Sequence, residues 1–271
     1  MKYLYLIALG GLNDILCRIQ KYVYYCIKNN RLLFIDTRYG TYKYNIFRFI
    51  HIHLDLIIQK IKYFDNISIN KLNFYPKGIK NDFKKIINNN FNIKSNQYDL
   101  RFNNKELDHD VIICAESGGG DSFPFFYKYI TINNIIKKYV IEKAKLIKKP
   151  YIAIQIRNTD IITDYKSIYL KNKELIHKYD YVYIATDNKN VIQYFKHKNL
   201  NVKNFTEFPK EKHKNLHTSN ISCETKFKNL FTDMYIILNA EKAILESNGG
   251  FSDLLKECYK RKNYIINNKF I

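Results

Sequence analysis

Tyr151-Ile152-Ala153-Ile154-Gln155-Ile156-Arg157-Asn158-Thr159-Asp160 decides the fold. Ile152, Ile154 and Ile156 alternate with Ala153, Gln155 and Arg157, and this period of two, rich in β-branched residues, predicts a strand over 151–157. Arg157 then falls at the strand's carboxyl end, the edge at which open α/β sheets bind ligands. Downstream the pattern predicts a strand over 181–186, a helix near 188–197, a short strand near 201–205, a helix near 225–239, a strand over 243–246 and a helix near 251–260. Such a βα succession predicts a largely parallel sheet covered on both faces.

Upstream, helical sequence from Ile130 to Ile147 runs into Lys148-Lys149-Pro150, which marks a domain boundary and gives domains 1–148 and 149–271. Val111-Ile112-Ile113-Cys114-Ala115 reads as a buried strand, followed by the flexible turn Ser117-Gly118-Gly119-Gly120. At the N-terminus, Lys2 and the apolar run Tyr3 to Leu9 read as a first strand and not as a signal peptide, because no small-residue cleavage site follows. Gly10-Gly11 then leads into a helix with Ile15, Leu16, Ile19, Val23, Cys26 and Ile27 at helical spacing, Asn29-Asn30 as its stop, and the strand Leu32 to Asp36. This is a βαβ unit. Between residues 41 and 109 the spacing predicts helices at Phe47 to Ile61 and Asp82 to Asn90, with Asn88-Asn89-Asn90 equally readable as a loop.

A chain of 271 residues with 46% apolar side chains can bury one large core or two modest ones, which excludes a disordered tail. The net charge of +20 comes from lysine, since arginine occurs only at 18, 31, 38, 48, 101, 157 and 261. Abundant Lys, Asn, Ile and Tyr without Trp is the composition of AT-rich coding, and the lysines are scattered instead of striped. An anionic substrate or a peripheral contact with an anionic membrane surface is the alternative source of the charge. Cys17, Cys26, Cys114, Cys223 and Cys258 are odd in number and widely spaced, so neither a zinc site nor a redox dithiol is expected, and a reducing, cytoplasmic compartment follows. No run approaches the ~20 apolar residues that span a bilayer.

Ile156-Arg157-Asn158-Thr159-Asp160 resembles the His-x-Arg-Arg-Thr/Gly-Asp peptide of the α1,2-, α1,6- and protein-O-fucosyltransferases, two-domain enzymes that use GDP-fucose. Three further stretches follow the order of that superfamily. Gly10-Gly11-Leu12-Asn13-Asp14 resembles its N-terminal Gly-Leu-Gly-Asn/Asp loop, Val182-Tyr183-Ile184-Ala185-Thr186-Asp187 its second motif, and Asp233 to Leu255 with Asn248-Gly249-Gly250-Phe251-Ser252 its third. The resemblance implies the GT-B plan: two Rossmann-like domains with mainly parallel sheets facing a cleft that holds the donor nucleotide. The first domain would be the acceptor side and the second the nucleotide-sugar side. Gln155 stands where the family has His, and Asn158 where it has a second Arg.

The residues carry their own reading beside the resemblance. Gly10, Gly11, Gly249 and Gly250 let backbone approach a diphosphate at helix N-termini, and Ser247, Asn248 and Ser252 offer polar groups there; a tight turn at 10–13, and Ser252 as a helix N-cap, are the structural alternatives. Asn13, where the family usually has Gly, is the side chain that best tolerates a left-handed turn. Arg157 pairs with phosphate through two parallel hydrogen bonds, or forms a structural salt bridge to Asp160 or Asp233. Asp187 either binds a ribose or guanine edge or caps the next helix. Asp233 sits in a mostly apolar helix and needs a partner; the resemblance gives it to the nucleotide. Asp160, with Asp14 as runner-up, is the candidate base, each alternatively orienting Arg157 or capping a helix. Asp108-His109-Asp110 has Asp-x-Asp metal spacing but precedes a strand, and His51 and His53 read as structural histidines, so no metal is expected.

The expected function is that of an inverting, metal-independent glycosyltransferase without a cofactor, moving fucose or a related sugar from a GDP-sugar to a hydroxyl of a glycan or glycoconjugate. The alternatives are a nucleotide- or sugar-binding module without catalysis, suggested by Gln155 and Asn158, and a basic nucleic-acid-binding protein; the latter lacks a basic stripe or an RNA-binding motif, so no nucleic acid is expected as partner.

Overall fold

The glycine loops at 10–11 and 249–250 each follow a strand that borders the point where the strand order of its sheet reverses. The computed structural model describes residues 1–58, 69–93, 97–102, 107–210, 216 and 218–271. Its elements are β1 (Lys2–Ala8), α1 (Leu12–Lys28), β2 (Arg31–Asp36), β3 (Ile50–Ile52), β4 (Ile57–Ile58), β5 (Phe74–Tyr75), α2 (Phe83–Ile87), β6 (Val111–Glu116), α3 (Phe123–Tyr129), β7 (Ile130–Ile132), α4 (Asn134–Ala144), β8 (Ile152–Ile156), α5 (Tyr165–Ile176), β9 (Val182–Thr186), α6 (Lys189–Lys196), β10 (Val202–Lys203), α7 (Cys223–Asn239), β11 (Lys242–Ile244), α8 (Gly250–Lys260) and α9 (Lys262–Ile265). They fall into two compact units, residues 1–48 with 52–130, and residues 49–51 with 131–271.

The first unit holds a sheet in the order β4-β2-β1-β6-β5, with every pairing parallel. The chain leaves β1 toward β2 and β4, then returns on the other side through β5 and β6, so the switch point lies between β1 and β6. Ligands of open α/β sheets bind at such points, beyond the strand ends. α1 buries Ile15, Leu16, Ile19, Tyr22, Val23 and Cys26 along one face, and ends where Asn30 turns left-handed at φ +47°.

The second unit repeats the plan with the parallel order β10-β9-β8-β11, which puts its switch point between β8 and β11. Ile152, Ile154 and Ile156 lie in a core with Ile168 and Tyr169 of α5 and Val191 and Phe195 of α6. The opposite face meets α7, where Tyr151 donates to the Ile236 carbonyl at 2.7 Å. Asp164, Asn188 and Ser222 cap α5, α6 and α7 by accepting backbone N–H groups.

Several sequence expectations change. Phe47 to Ile61 is not a helix over its described part: a 3₁₀ turn at Ile46–Arg48 leads to β3 and β4, and 59–61 lie outside the described residues. The apolar spacing there fits a helix, but pairing of β4 with β2 and of β3 with β7 wins. Asp82 to Asn90 shortens to α2. Ile130 to Ile147 begins as a strand, because Ile130 and Ile132 are buried about a half-exposed Thr131, and becomes helical only after the Asn133 cap. α4 packs on α7 and goes with the second unit, so the compact units divide at 130/131 where the sequence reading divides the chain at 148/149. α3 and α5 are additional helices. The five cysteines are unpaired, and among the described residues no helix is long and apolar enough to cross a membrane.

Candidate functional site

At the carboxyl ends of β8, β9 and β11 the second unit gathers Arg157, Asp187 and the loop 247–250. Hydroxyl-bearing and acidic side chains fix this edge. Ser247 accepts the Arg157 N–H at 3.0 Å, donates to the Gln155 carbonyl at 3.2 Å, and lies 3.1 Å from the Thr163 hydroxyl. Asp187 accepts the Asn158 N–H at 2.7 Å and the Thr159 hydroxyl at 2.6 Å. Burial raises the Asp187 pKa, against the opposing pull of Thr159 and Asn158. Asn188 donates its side-chain amide to the Asn158 carbonyl at 2.8 Å, so the peptide after Arg157 is held from both sides.

On this platform the Arg157 guanidinium is forked onto Asp160, with Nε to Oδ1 at 2.9 Å and Nη2 to Oδ2 at 2.6 Å. Its Nη1 sits against Gly249, the N-cap of α8: a Cβ there would stand 2.8 Å from Nη1 and 2.9 Å from Cδ1 of Ile161. Gly249 has φ +107°, a conformation that side chains other than glycine rarely adopt. A guanidinium at a helix N-terminus places positive charge beside the positive end of the helix dipole. That arrangement calls for an anion, and Asp160 supplies one.

The remaining expected groups divide. Ser252 is fully buried at the third position of α8 and donates to the Asn248 carbonyl at 3.2 Å, so the cap is Gly249 and not Ser252. Asp187 is not a helix cap either, since Asn188 fills that role. Asn248 and Gly250 stand at the accessible mouth of the loop. Asp233 is buried on α7 and accepts the Tyr183 hydroxyl at 2.5 Å; burial, with the charge of Asp187 adding to it, pushes its pKa up to about 7. Of the two partners considered for Arg157, Asp160 takes it. Gln155 is buried, and among the described residues its Oε1 finds no hydrogen-bond partner.

In the first unit the loops after β1 and β6 are laced together. Asn13 donates to the Gly120 carbonyl at 3.1 Å and accepts the Ser122 hydroxyl at 2.6 Å. Asn13 is therefore a buried brace in the first turn of α1; the left-handed residue is Gly10, at φ +94°. Asp14 accepts the Gly11 N–H at 3.0 Å, a helix cap of the capping-box kind. Arg18 extends to the Gly119 carbonyl and to Glu116, each at 3.3 Å, and Lys21 reaches Glu116 at 2.9 Å.

Asp108-His109-Asp110 does not converge. Asp108 pairs with Lys2, His109 packs edge-on against Tyr75, and Asp110 accepts the Asn73 N–H at 2.8 Å. His51 and His53 are exposed, and among the described residues no cluster of His, Cys, Asp and Glu has the make-up of a metal site. Thr159, Thr163 and Arg18 went unread in the sequence, because a single hydroxyl or cation carries no periodicity; the signal available was that both threonines lie in the segment after β8 and that Arg18 lies nearly two turns into α1.

No family model and no curated protein sequence matches the chain. Solved structures do. NodZ α-1,6-fucosyltransferase co-crystallised with GDP is similar over 94% of this chain and 92% of its own, with a TM-score of 0.60 and 14% identity. Fucosyltransferase NodZ from Bradyrhizobium gives 0.59 and 14% over 94% and 93%. POFUT1 in complex with GDP gives 0.50 and 10% over 96% and 94%. The chain thus has the α/β fold of the GT-B fucosyltransferases, two units built on parallel sheets.

Proposed function

We propose that the protein transfers fucose or a related sugar from a GDP-sugar to a glycan hydroxyl, with inversion and without a metal. The second unit binds the donor, the first the acceptor. The observation that carries this reading is the Arg157 guanidinium at the N-terminus of α8, against Gly249 and beside the switch point between β8 and β11. A diphosphate suits that position because a guanidinium fork and the N–H groups of a helix start both bind phosphate oxygens. The NodZ and POFUT1 structures that contain GDP support the choice of nucleotide.

In this scheme Arg157 exchanges Asp160 for the diphosphate, stabilising the negative charge that grows as the sugar leaves. Asp160, released, accepts the proton of the attacking hydroxyl as general base. Asp187, Ser247 and Thr163 keep the strand ends in register throughout. Unpaired cysteines suit a reducing, cytoplasmic setting. The test is thermal shift with GDP, UDP and CMP, followed by donor turnover with GDP-fucose. GDP should raise the melting temperature most; a protein stabilised by UDP and indifferent to GDP overturns the donor class. Binding of GDP without hydrolysis or transfer would favour a binding module that has lost catalysis.

A further inference from the structure

α5 and α6 form one layer over the second sheet. Ile168 and Tyr169 of α5 and Val191 and Phe195 of α6 turn inward to the isoleucines of β8. Between the helices, Tyr165 and Tyr169 meet Tyr194 edge-on at 5.2 and 5.9 Å, which ties the two together. Their outer sides therefore make a single surface, and its composition is one-sided.

Lys166, Leu170 and Lys173 are exposed at i, i+4 and i+7, a stripe along α5. Lys196 ends α6, and just beyond it Lys198 lies over the rings of Tyr169 and Tyr194 at 5.6 and 5.1 Å. Among the described residues no carboxylate pairs with these four lysines, whereas Lys171 beside them is held by Glu246. Glu174 is the one acid in either helix. Cations that the chain itself does not neutralise leave a positive field over this face. Two large aliphatic side chains rise from it: Leu170 is 69% exposed, and Ile162, in the loop that leads into α5, is 77% exposed.

We infer that the outer face of α5 and α6 docks on an anionic phospholipid surface. The lysines draw the face to acidic headgroups, with their alkyl stems lying along apolar surface. Leu170 and Ile162 then enter the boundary between headgroups and acyl chains. The half-buried Tyr165 and Tyr194 suit the headgroup level, because a tyrosine has an apolar body and a polar tip. A nucleic acid would pair with the lysines but leave both aliphatic side chains in water. A second copy of the chain would set the same positive charge against itself. The loop from Arg157 to Ile162 joins this face to the Arg157 edge, so a bilayer held at Ile162 lies beside that edge. The inference is independent of the donor reading, since it concerns a surface and not the Arg157 site.

The experiment is flotation of the full chain with vesicles of phosphatidylcholine alone and of phosphatidylcholine mixed with phosphatidylglycerol, at low and high salt, with a duplex DNA titrated alongside. The protein should float with the mixed vesicles only, and less so at high salt. Lys166→Glu/Lys173→Glu/Lys196→Glu should weaken this binding on the order of 100-fold, while Lys71→Glu/Lys77→Glu/Lys84→Glu, the same charge change on exposed lysines of the first unit, should weaken it far less. Ile162→Ser/Leu170→Ser should weaken it about tenfold with the charge untouched. All these positions are at the surface, so melting temperatures should stay near that of the parent, and a GDP-induced shift, measured in the same proteins, reports the donor site separately. No flotation with mixed vesicles, equal flotation with neutral ones, equal losses in the two lysine triples, an unchanged Ile162→Ser/Leu170→Ser variant, or DNA bound more tightly than vesicles overturns the inference.

Discussion

Arg157 and Asp160 form a two-point ion pair across three residues, at the mouth of the central strand and against the N-cap of α8. In the proposed reaction the diphosphate would take the guanidinium face that the carboxylate holds here, so the pair would link donor binding to the availability of a base.

Separating the two residues tests this link. Arg157→Ala should weaken GDP by about 10–100-fold, the loss of a charge-assisted contact worth roughly 1.5–3 kcal/mol, and remove most of the GDP-induced melting shift. Asp160→Asn should leave GDP affinity unchanged or higher, since the competing anion is gone, while kcat falls by a factor on the order of 10²–10⁴. If GDP affinity and kcat fall together in Asp160→Asn, the residue only positions Arg157, and Asp14 is the next carboxylate to test.

The glycines make a second prediction by contrast. Gly249→Ala meets both a left-handed backbone and the Arg157 guanidinium, so it should cost about 1–3 kcal/mol of stability and abolish the GDP response. Gly10→Ala should be as harmful to folding, because its Cβ would come 2.7 Å from Asp14. Gly11→Ala should be nearly silent: φ is −77°, and the nearest atom to its Cβ is 3.7 Å away. Equal melting temperatures for all three variants would sink the argument from backbone geometry.

Metal dependence follows from the scattering of Asp108, His109 and Asp110 onto Lys2, Tyr75 and Asn73. Transfer should survive EDTA, and Asp108→Ala should change the rate less than Arg157→Ala does. Turnover abolished by chelator and restored by manganese would assign the chemistry to a metal.

The parallel sheets and the position of Arg157 were legible because a buried strand repeats every two residues and tolerates few alternatives. Glycine loops after β1 and β11 were equally plain. What the pattern did not carry was the direction of polar side chains. Ser247 stitches β8 to the loop after β11, and Ser252 donates back to the Asn248 carbonyl of that loop, contacts that no sequence pattern announces. Asn13 and Asp14 likewise brace loops instead of facing outward. α5 escaped because Asn172 and the lysines interrupt its apolar stripe, leaving Ile168, Tyr169, Leu175 and Ile176 to define a face that only packing reveals. Over the described part of Phe47 to Ile61, helix-like spacing serves two short strands instead.

Asp233 gives a prediction in pH. Its carboxyl is buried against Tyr183, and burial lifts its pKa to about 7, well above the ~3.9 of an unfolded aspartate. Between those values the folded chain holds a proton that the unfolded chain has released. The stability this group contributes is therefore fully present below about pH 4, declines as pH rises toward 7, and is flat beyond, a swing on the order of 1–4 kcal/mol. The amide introduced by Asp233→Asn cannot ionise yet keeps an oxygen to accept the Tyr183 hydroxyl, so the substitution should remove this pH dependence while preserving the hydrogen bond. Urea denaturation of both proteins at pH 5 and pH 8 isolates it: Asp233→Asn should gain on the parent as pH rises. A difference between the two that is independent of pH would mean that Asp233 is ionised in the folded protein across this range, with the hydrogen bond from Tyr183 outweighing burial.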